Sequence, residues 1–215
     1  MIDAQEPEIA WRDGVPVATR FDDPYYSLRG GAEETAHVFL GGNDLPARLR
    51  PGFRVAELGF GTGLNALVLA AAWDGPAIAM TSFELHPMAR ADMARALAAF
   101  HALDAAPLLD AWPSERIALG SVDLRLVFGD ARETLPAWEG RADAWFLDGF
   151  APARNPELWE DALMAEVARH TAPGGTFATY TAAGHVRRAL EAAGFHVERR
   201  PGYANKRHMT AGRMP

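Results

Sequence analysis

An α/β fold on a mostly parallel, doubly wound sheet follows from three observations in this sequence. The first is the stretch FRVAELGFGTGLN, residues 53–65: an apolar run of strand length, a glycine turn, and an Ala/Leu-rich run of helical composition from Leu64 to Trp73. The second is Glu84, which ends the next apolar run and lies 21 positions after Gly63, the layout of a nucleotide-binding first crossover. The third is the continued alternation of strand-like and helix-like segments to the end of the chain.

Taken in order, residues 8–19 read as two short strands joined at Asp13-Gly14, a favoured hairpin turn. Residues 21–45 are turn-rich at both ends, with a helix expected over Glu33–Leu40. Residues 1–45 are therefore expected to form an extension packed on the site, and residues 46–215 the ligand-binding domain. Seven sheet strands are expected: residues 53–58, 78–84, 122–128, 143–147, 176–181, 195–200 and 208–213, the last antiparallel. Helices are expected over Pro87–Ala99, from Pro156 to about His170, and over Gly184–Ala193, while residues 101–120 read as looser and Ala172-Pro173-Gly174-Gly175 as a turn.

Composition narrows the function classes. A chain of 215 residues with 49% hydrophobic content can bury a full core, either as one large α/β domain or as a domain with a small appendage. It has no cysteine, which excludes disulfides, thiolate metal sites and a cysteine nucleophile and suits the cytoplasm. The acidic N-terminus MIDAQEPEIAW is not a signal peptide, and no apolar run approaches the ~20 residues of a spanning helix. The net charge of −7 argues against a general nucleic-acid binder, yet residues 185–215 carry seven Arg or Lys against two Glu, leaving −12 for the rest. Such a basic end either faces phosphate or is a solvated surface.

The glycine spacing discriminates among ligands. A dinucleotide fingerprint needs glycine where Leu64 stands, which disfavours an NAD-dependent dehydrogenase, and the Gly-Lys-Ser/Thr of a P-loop is absent. Glu57 followed by Gly59-Phe60-Gly61-Thr62-Gly63 resembles motif I of the class I S-adenosylmethionine (SAM) methyltransferases, a Rossmann-like fold. A ligand with an ammonium, a sulfonium and no phosphate suits an acidic residue beside a close backbone turn. The candidate cofactor residues are Glu57, Gly59, Phe60, Gly61, Thr62, Gly63 and Asn65; Glu84 for the ribose hydroxyls; and Asp130-Ala131, after the third strand, for the adenine amino group. Asp148 ends the fourth strand, beside the first in such a sheet, and is expected at the SAM methyl group. The other readings are helix capping for Glu84, a turn for Asp130, and a loop cap or contact with the SAM amino group for Asp148.

The run Asp143–Pro156, DAWFLDGFAPARNP, then Leu158-Trp159, is similar to one family: the methyltransferase half of the bacterial bifunctional tRNA enzyme MnmC, and its stand-alone form MnmD. Phe21-Asp22-Asp23 with Tyr25-Tyr26-Ser27, Glu33-Glu34-Thr35, Val38–Asn43, Pro173–Thr176, Val186–Arg188 and Lys206-Arg207 agree, so the likeness runs the length of the chain. It implies N-methylation of 5-aminomethyl-(2-thio)uridine at the anticodon wobble position of tRNA, with SAM as cofactor and a separate enzyme supplying the aminomethyl group. A primary alkyl amine is mostly protonated at neutral pH. Asp148 is accordingly expected to orient the amine and accept its proton. Tyr26, Phe150 and Pro152 are candidates for the wall against the uracil, with Tyr25 and Tyr180 as further aromatics. Arg29, Arg154, Arg187, Arg188, Lys206 and Arg207 are candidates for anticodon-loop phosphates. The FAD-dependent oxidase part of the bifunctional enzyme has no counterpart in these 215 residues. The seven histidines form no metal-binding spacing, so no metal is expected. Methylation of a small-molecule or protein amine, and a SAM-binding but inactive tRNA-binding protein, stay open as other functions.

Overall fold

The computed structural model describes residues 6–27 and 30–215. The chain opens on the expected hairpin, β1 (Ile9–Arg12) and β2 (Val15–Ala18), turned by Asp13 and Gly14, both at positive φ. A two-residue strand, β3 (Asp23–Pro24), pairs with β2. Helix α1 (Gly31–Thr35) continues into a π-helical turn over Ala36–Gly41, where one helix was expected; Val38, Phe39 and Leu40 of that turn are buried.

The main sheet follows: β4 (Arg54–Leu58), α2 (Leu64–Ala71), β5 (Ile78–Glu84), α3 (Arg90–Leu97), α4 (Ala106–Ala111), β6 (Arg116–Leu119) and β7 (Val122–Phe128). Then come α5 (Ala131–Thr134), β8 (Ala142–Leu147), a 3-10 turn over Pro156–Trp159, α6 (Asp161–Arg169), β9 (Thr171–Thr179), α7 (Gly184–Ala192), β10 (His196–Pro201) and β11 (His208–Arg213). The sheet order is β10-β11-β9-β8-β4-β5-β7-β6. Strands β9, β8, β4, β5 and β7 are parallel, and β11 runs antiparallel between β9 and β10. The fold class is the expected one, with an eighth strand added: β6 pairs antiparallel with β7 and closes that edge. Residues 101–120 read as loose because α4 and β6 are each too short for a periodic signal. The Pro173-Gly174-Gly175 turn lies inside the span of β9, at a register irregularity where Ala142 faces Thr171 but Ala144 faces Thr176.

Central strands covered on both faces are mostly apolar, and β8, ADAWFL, is buried at all six positions, with Asp143 paired to Arg50 at 3.0 Å. Ala144 and Phe146 join the core under α2 and the N-terminal segment, whereas Trp145 and Leu147 join the core under α6 and α7. From β4 the chain winds outward through β5 to β7, then crosses back to β8 on the other side of β4. The crevice where such a reversal occurs lies beyond the carboxyl ends of β4 and β8, where open α/β sheets bind ligands.

Candidate active site

The carboxyl ends of β4, β5, β7 and β8 open into a cavity of about 1500 Å³, covered by the N-terminal segment and by the turn between β10 and β11. Gly59 prolongs the β4–β5 ladder, its N–H donating to the Phe83 carbonyl at 3.0 Å, and the Asp148 N–H donates to the Leu58 carbonyl at 3.0 Å. The two turns thereby meet. Gly59 has φ +87°, and a Cβ there would collide with the Asp148 carbonyl oxygen.

A buried polar relay runs beneath them. Asn65, in the first turn of α2, donates through Nδ2 to Glu57 Oε1 at 2.8 Å and to Asp148 Oδ2 at 2.6 Å. Its Oδ1 accepts from Thr35 Oγ1 at 2.8 Å, so both amide hydrogens and the carbonyl are engaged. Ser82 Oγ donates to the other oxygen of Glu57 at 2.5 Å. Burial pushes Glu57 up to about 8 despite these two donors. Withdrawal from bulk water pushes Asp148 up to about 7, with the Asn65 hydrogen bond and the Lys206 charge acting the other way. A carboxylate that titrates near neutrality is matched to accepting a proton and releasing it again.

Glu84 fixes the glycine loop from β5: Oε2 accepts from the Gly61 N–H at 2.8 Å and Oε1 from the His86 N–H at 2.7 Å. Each oxygen keeps acceptor capacity for a hydroxyl. Asp130 caps α5 by accepting from the Arg132 N–H at 2.9 Å, and the Arg132 guanidinium, 2.6 Å away at its nearest, holds the carboxyl below its ordinary range. It combines the turn role with a place in the cavity wall, beside Ala131.

The aromatic wall forms across a long sequence separation. Phe150 stacks on Phe21, with centroids 4.8 Å apart, and takes Tyr25 edge-on at 5.1 Å. The Tyr180 hydroxyl donates to the Gly149 carbonyl at 2.7 Å, and burial raises both Tyr25 and Tyr180 well above the ordinary phenol range. Two aspartates of the N-terminal segment hold the loop after β8. Asp23 accepts from the Ala151 N–H at 2.7 Å, and Asp22 accepts from the Arg154 guanidinium at 2.8 Å.

The structure brings Gly59, Phe60, Gly61, Thr62 and Asn65 to the wall, with Glu84, Asp130, Ala131, Asp148, Tyr26, Phe150 and Lys206. Glu57 and Gly63 lie behind it. Glu57 is fully buried and bears on the site through Asn65, and Gly63 (φ +79°) is the turn into α2. Tyr26 borders the cavity but commits its hydroxyl to the Ala96 carbonyl at 3.0 Å, which pins the N-terminal segment to α3. Pro152 is buried outside the wall. Arg154, Arg187, Arg188 and Arg207 stand outside it as well, and Arg154 is engaged by Asp22. Lys206 points inward to Glu34, with Nζ to Oε1 2.7 Å. Arg29 lies outside the described residues. Among the wall residues that the sequence did not single out are Glu34 and Tyr203. Only the Glu33-Glu34-Thr35 likeness pointed near the first, and no local pattern marks the second. Among the described residues, no group of three or more His, Asp or Glu is placed to hold a metal ion, and no helix is long and apolar enough to cross a membrane.

The family described as S-adenosyl-L-methionine-dependent methyltransferase matches residues 98–215. A Chromobacterium violaceum protein named tRNA 5-methylaminomethyl-2-thiouridine biosynthesis bifunctional protein MnmC is 42% identical, over 95% of this chain and 34% of its own length. Its namesake from Aromatoleum aromaticum is 47% identical, over 94% of this chain and 34% of its own. The chain thus spans about a third of the length of the curated relatives it matches. Among solved structures, MnmC2 from Aquifex aeolicus superposes with a TM-score of 0.76 at 24% identity, covering 98% of this chain and 71% of that one. SAM-bound CalS10, an amino pentose methyltransferase from Micromonospora echinaspora, superposes at 0.52 with 16% identity, covering 86% and 91%. These two likenesses establish the fold.

Proposed function

Because the chain belongs to the family of S-adenosyl-L-methionine-dependent methyltransferases, we propose that it methylates the primary amine of 5-aminomethyl-(2-thio)uridine at the anticodon wobble position of tRNA, giving the 5-methylaminomethyl nucleoside. The observation that carries this reading is Asp148: a carboxylate at the switch point of the sheet, bordering the cavity and held by Asn65 at 2.6 Å, with burial pushing it up to about 7. The identity of the amine comes from the name borne by relatives that match nearly the whole chain. The proposal is confined to methyl transfer, since the relatives are bifunctional and extend well beyond the match. The aminomethyl group is supplied by a separate reaction, and methyl transfer takes place in the cytoplasm with the tRNA.

The residues present fit SAM. The glycine loop lacks side chains where the backbone turns, Glu84 offers two carboxylate oxygens for a ribose diol, and Asp130 with Ala131 borders the same cavity. When bound, SAM supplies a methyl group on a sulfonium, which an amine nitrogen takes as the carbon–sulfur bond electrons return to sulfur. Asp148 takes the proton that the acceptor ammonium must lose before its nitrogen has a lone pair. Asn65 holds that carboxylate by one oxygen and leaves the other for the acceptor. Phe150, backed by Phe21 and Tyr25, presents a face on which an unstacked uracil can lie. Arg187, Arg188 and Arg207, which form no ion pair among the described residues, are left for the phosphates of the anticodon stem-loop. We assign residues 1–45 to a cover over the site and residues 46–215 to the SAM-binding unit.

The test is methyl transfer from labelled SAM to tRNA carrying 5-aminomethyluridine at the wobble position, with plain-uridine tRNA as control and digested nucleosides read by mass spectrometry. Product on the aminomethyl tRNA alone supports the proposal. No product, with SAM binding demonstrated, overturns it. Glu84→Ala removes both the diol acceptor and the anchor of the Gly61 N–H. It is expected to weaken SAM binding about tenfold or more by calorimetry, two charge-assisted hydrogen bonds being at stake; unchanged affinity would remove Glu84 from the cofactor site.

A further inference from the structure

Lys206 reaches inward from the turn between β10 and β11. Its Nζ lies 2.7 Å from Glu34 Oε1 and 4.4 Å from the centroid of the Tyr180 ring. The two partners are more buried than the lysine. The Glu34 side chain is 12% exposed on α1, whereas that of Lys206 is 45% exposed at the end of four rotatable bonds. Tyr180 is held by its hydroxyl on the carbonyl of Gly149, the residue after Asp148, so its ring stands beside the proposed base.

Lysine ends in a primary alkyl ammonium, the same group that the acceptor carries at its aminomethyl arm. Resting on the reading of the acceptor given above, we propose that Glu34 and the face of Tyr180 form the subsite for the acceptor's ammonium, and that Lys206 holds this subsite until the acceptor displaces it. A carboxylate and an aromatic face are the two groups that favour a compact cation in a partly dry cavity. The charges agree. Asp23, Glu34 and Asp148 all act on this corner of the cavity, and Lys206 is the cation that acts on Asp148 against them. Exchange of one ammonium for another leaves that balance intact, whereas an acceptor without a cation cannot replace Lys206, which then stays on Glu34. The subsite thus selects for the amine before chemistry begins. The exchange requires only that the Lys206 side chain swing outward.

The experiment measures dissociation constants of the full chain, with SAM's demethylated product present, for two tRNAs identical except for 5-aminomethyluridine or uridine at the wobble position. The ratio of the two constants cancels phosphate contacts common to both. The unmodified protein is expected to prefer the aminomethyl tRNA about tenfold or more. Glu34→Gln should bring the ratio close to one with SAM affinity unchanged within about twofold, and Glu34→Asp should restore part of it. Lys206→Met should raise the ratio about threefold or more, since the competitor is gone. A Glu34→Gln ratio equal to that of the unmodified protein, or a Lys206→Met ratio no higher than it, overturns the proposal. Methyl transfer by the unmodified protein is followed alongside. Its absence overturns the acceptor reading itself, whereas its presence with unaltered ratios overturns only the subsite.

Discussion

Asp148→Asn is expected to lower kcat for methyl transfer about 10³-fold while leaving SAM affinity within a few-fold, because the loss of a positioned base typically removes two to four orders of magnitude. Asparagine has nearly the shape of aspartate, and its carbonyl can accept the same Asn65 hydrogen bond that Asp148 accepts at 2.6 Å. The Ser82–Glu57–Asn65 relay behind it therefore survives, and the change isolates proton acceptance from architecture. The pH profile gives a second readout. A base works deprotonated, and burial places Asp148 near 7. The rate of the unmodified enzyme should rise with pH through about 7, the direction set by a carboxyl raised above its ordinary range. Glu57 shares Asn65 with Asp148 and contributes to the same electrostatics, so the apparent value belongs to the pair. Equal loss of turnover and SAM affinity in Asp148→Asn would assign the residue to cofactor binding instead.

Gly59→Ala is expected to destabilise the fold by about 3 kcal/mol, seen as a fall in Tm of about 6–12 °C for a domain of this size. Two effects combine. The residue sits at φ +87°, where an L side chain is strained by about 1–2 kcal/mol. The new Cβ also runs into backbone, since the carbonyl oxygen of Asp148 occupies its place and the carbonyl carbon lies 3.1 Å away. Relief requires β4 and β8 to part at the point where the cavity begins, so SAM binding should fall with stability. Gly14→Ala is the control. It has φ +81° in the β1–β2 turn but open space where its Cβ would stand, so it carries the conformational cost alone. Equal losses of Tm in the two variants would show that the close approach of β4 to β8 contributes nothing.

The sequence by itself determined the strand, glycine turn and helix of residues 53–65, strands β5 and β7 to the residue, and the placement of Glu84 and Asp148 at strand ends. These are legible because burial makes β4 and β5 mostly apolar, because exposure of one face gives β7 its alternation, and because a backbone that turns sharply between two strands demands glycine. The family likeness was legible for the same reason, as it rests on contiguous residues. Only the tertiary structure decided what those residues touch. Asn65 reads as one more member of the glycine loop; in the fold it joins Glu57 to Asp148, since β4 and β8 are neighbours only once the chain has crossed back over the sheet. Arg154 and Lys206 read as free cations for phosphate, yet Asp22 and Glu34 of the N-terminal segment claim them. The edge strand β6 and the β9 irregularity are likewise set by pairing with a neighbouring strand. Local pattern encodes which face of an element is dry; the partner on that face depends on long-range packing, and that packing gathers Glu34, Tyr180 and Lys206 from three distant segments into one corner of the cavity.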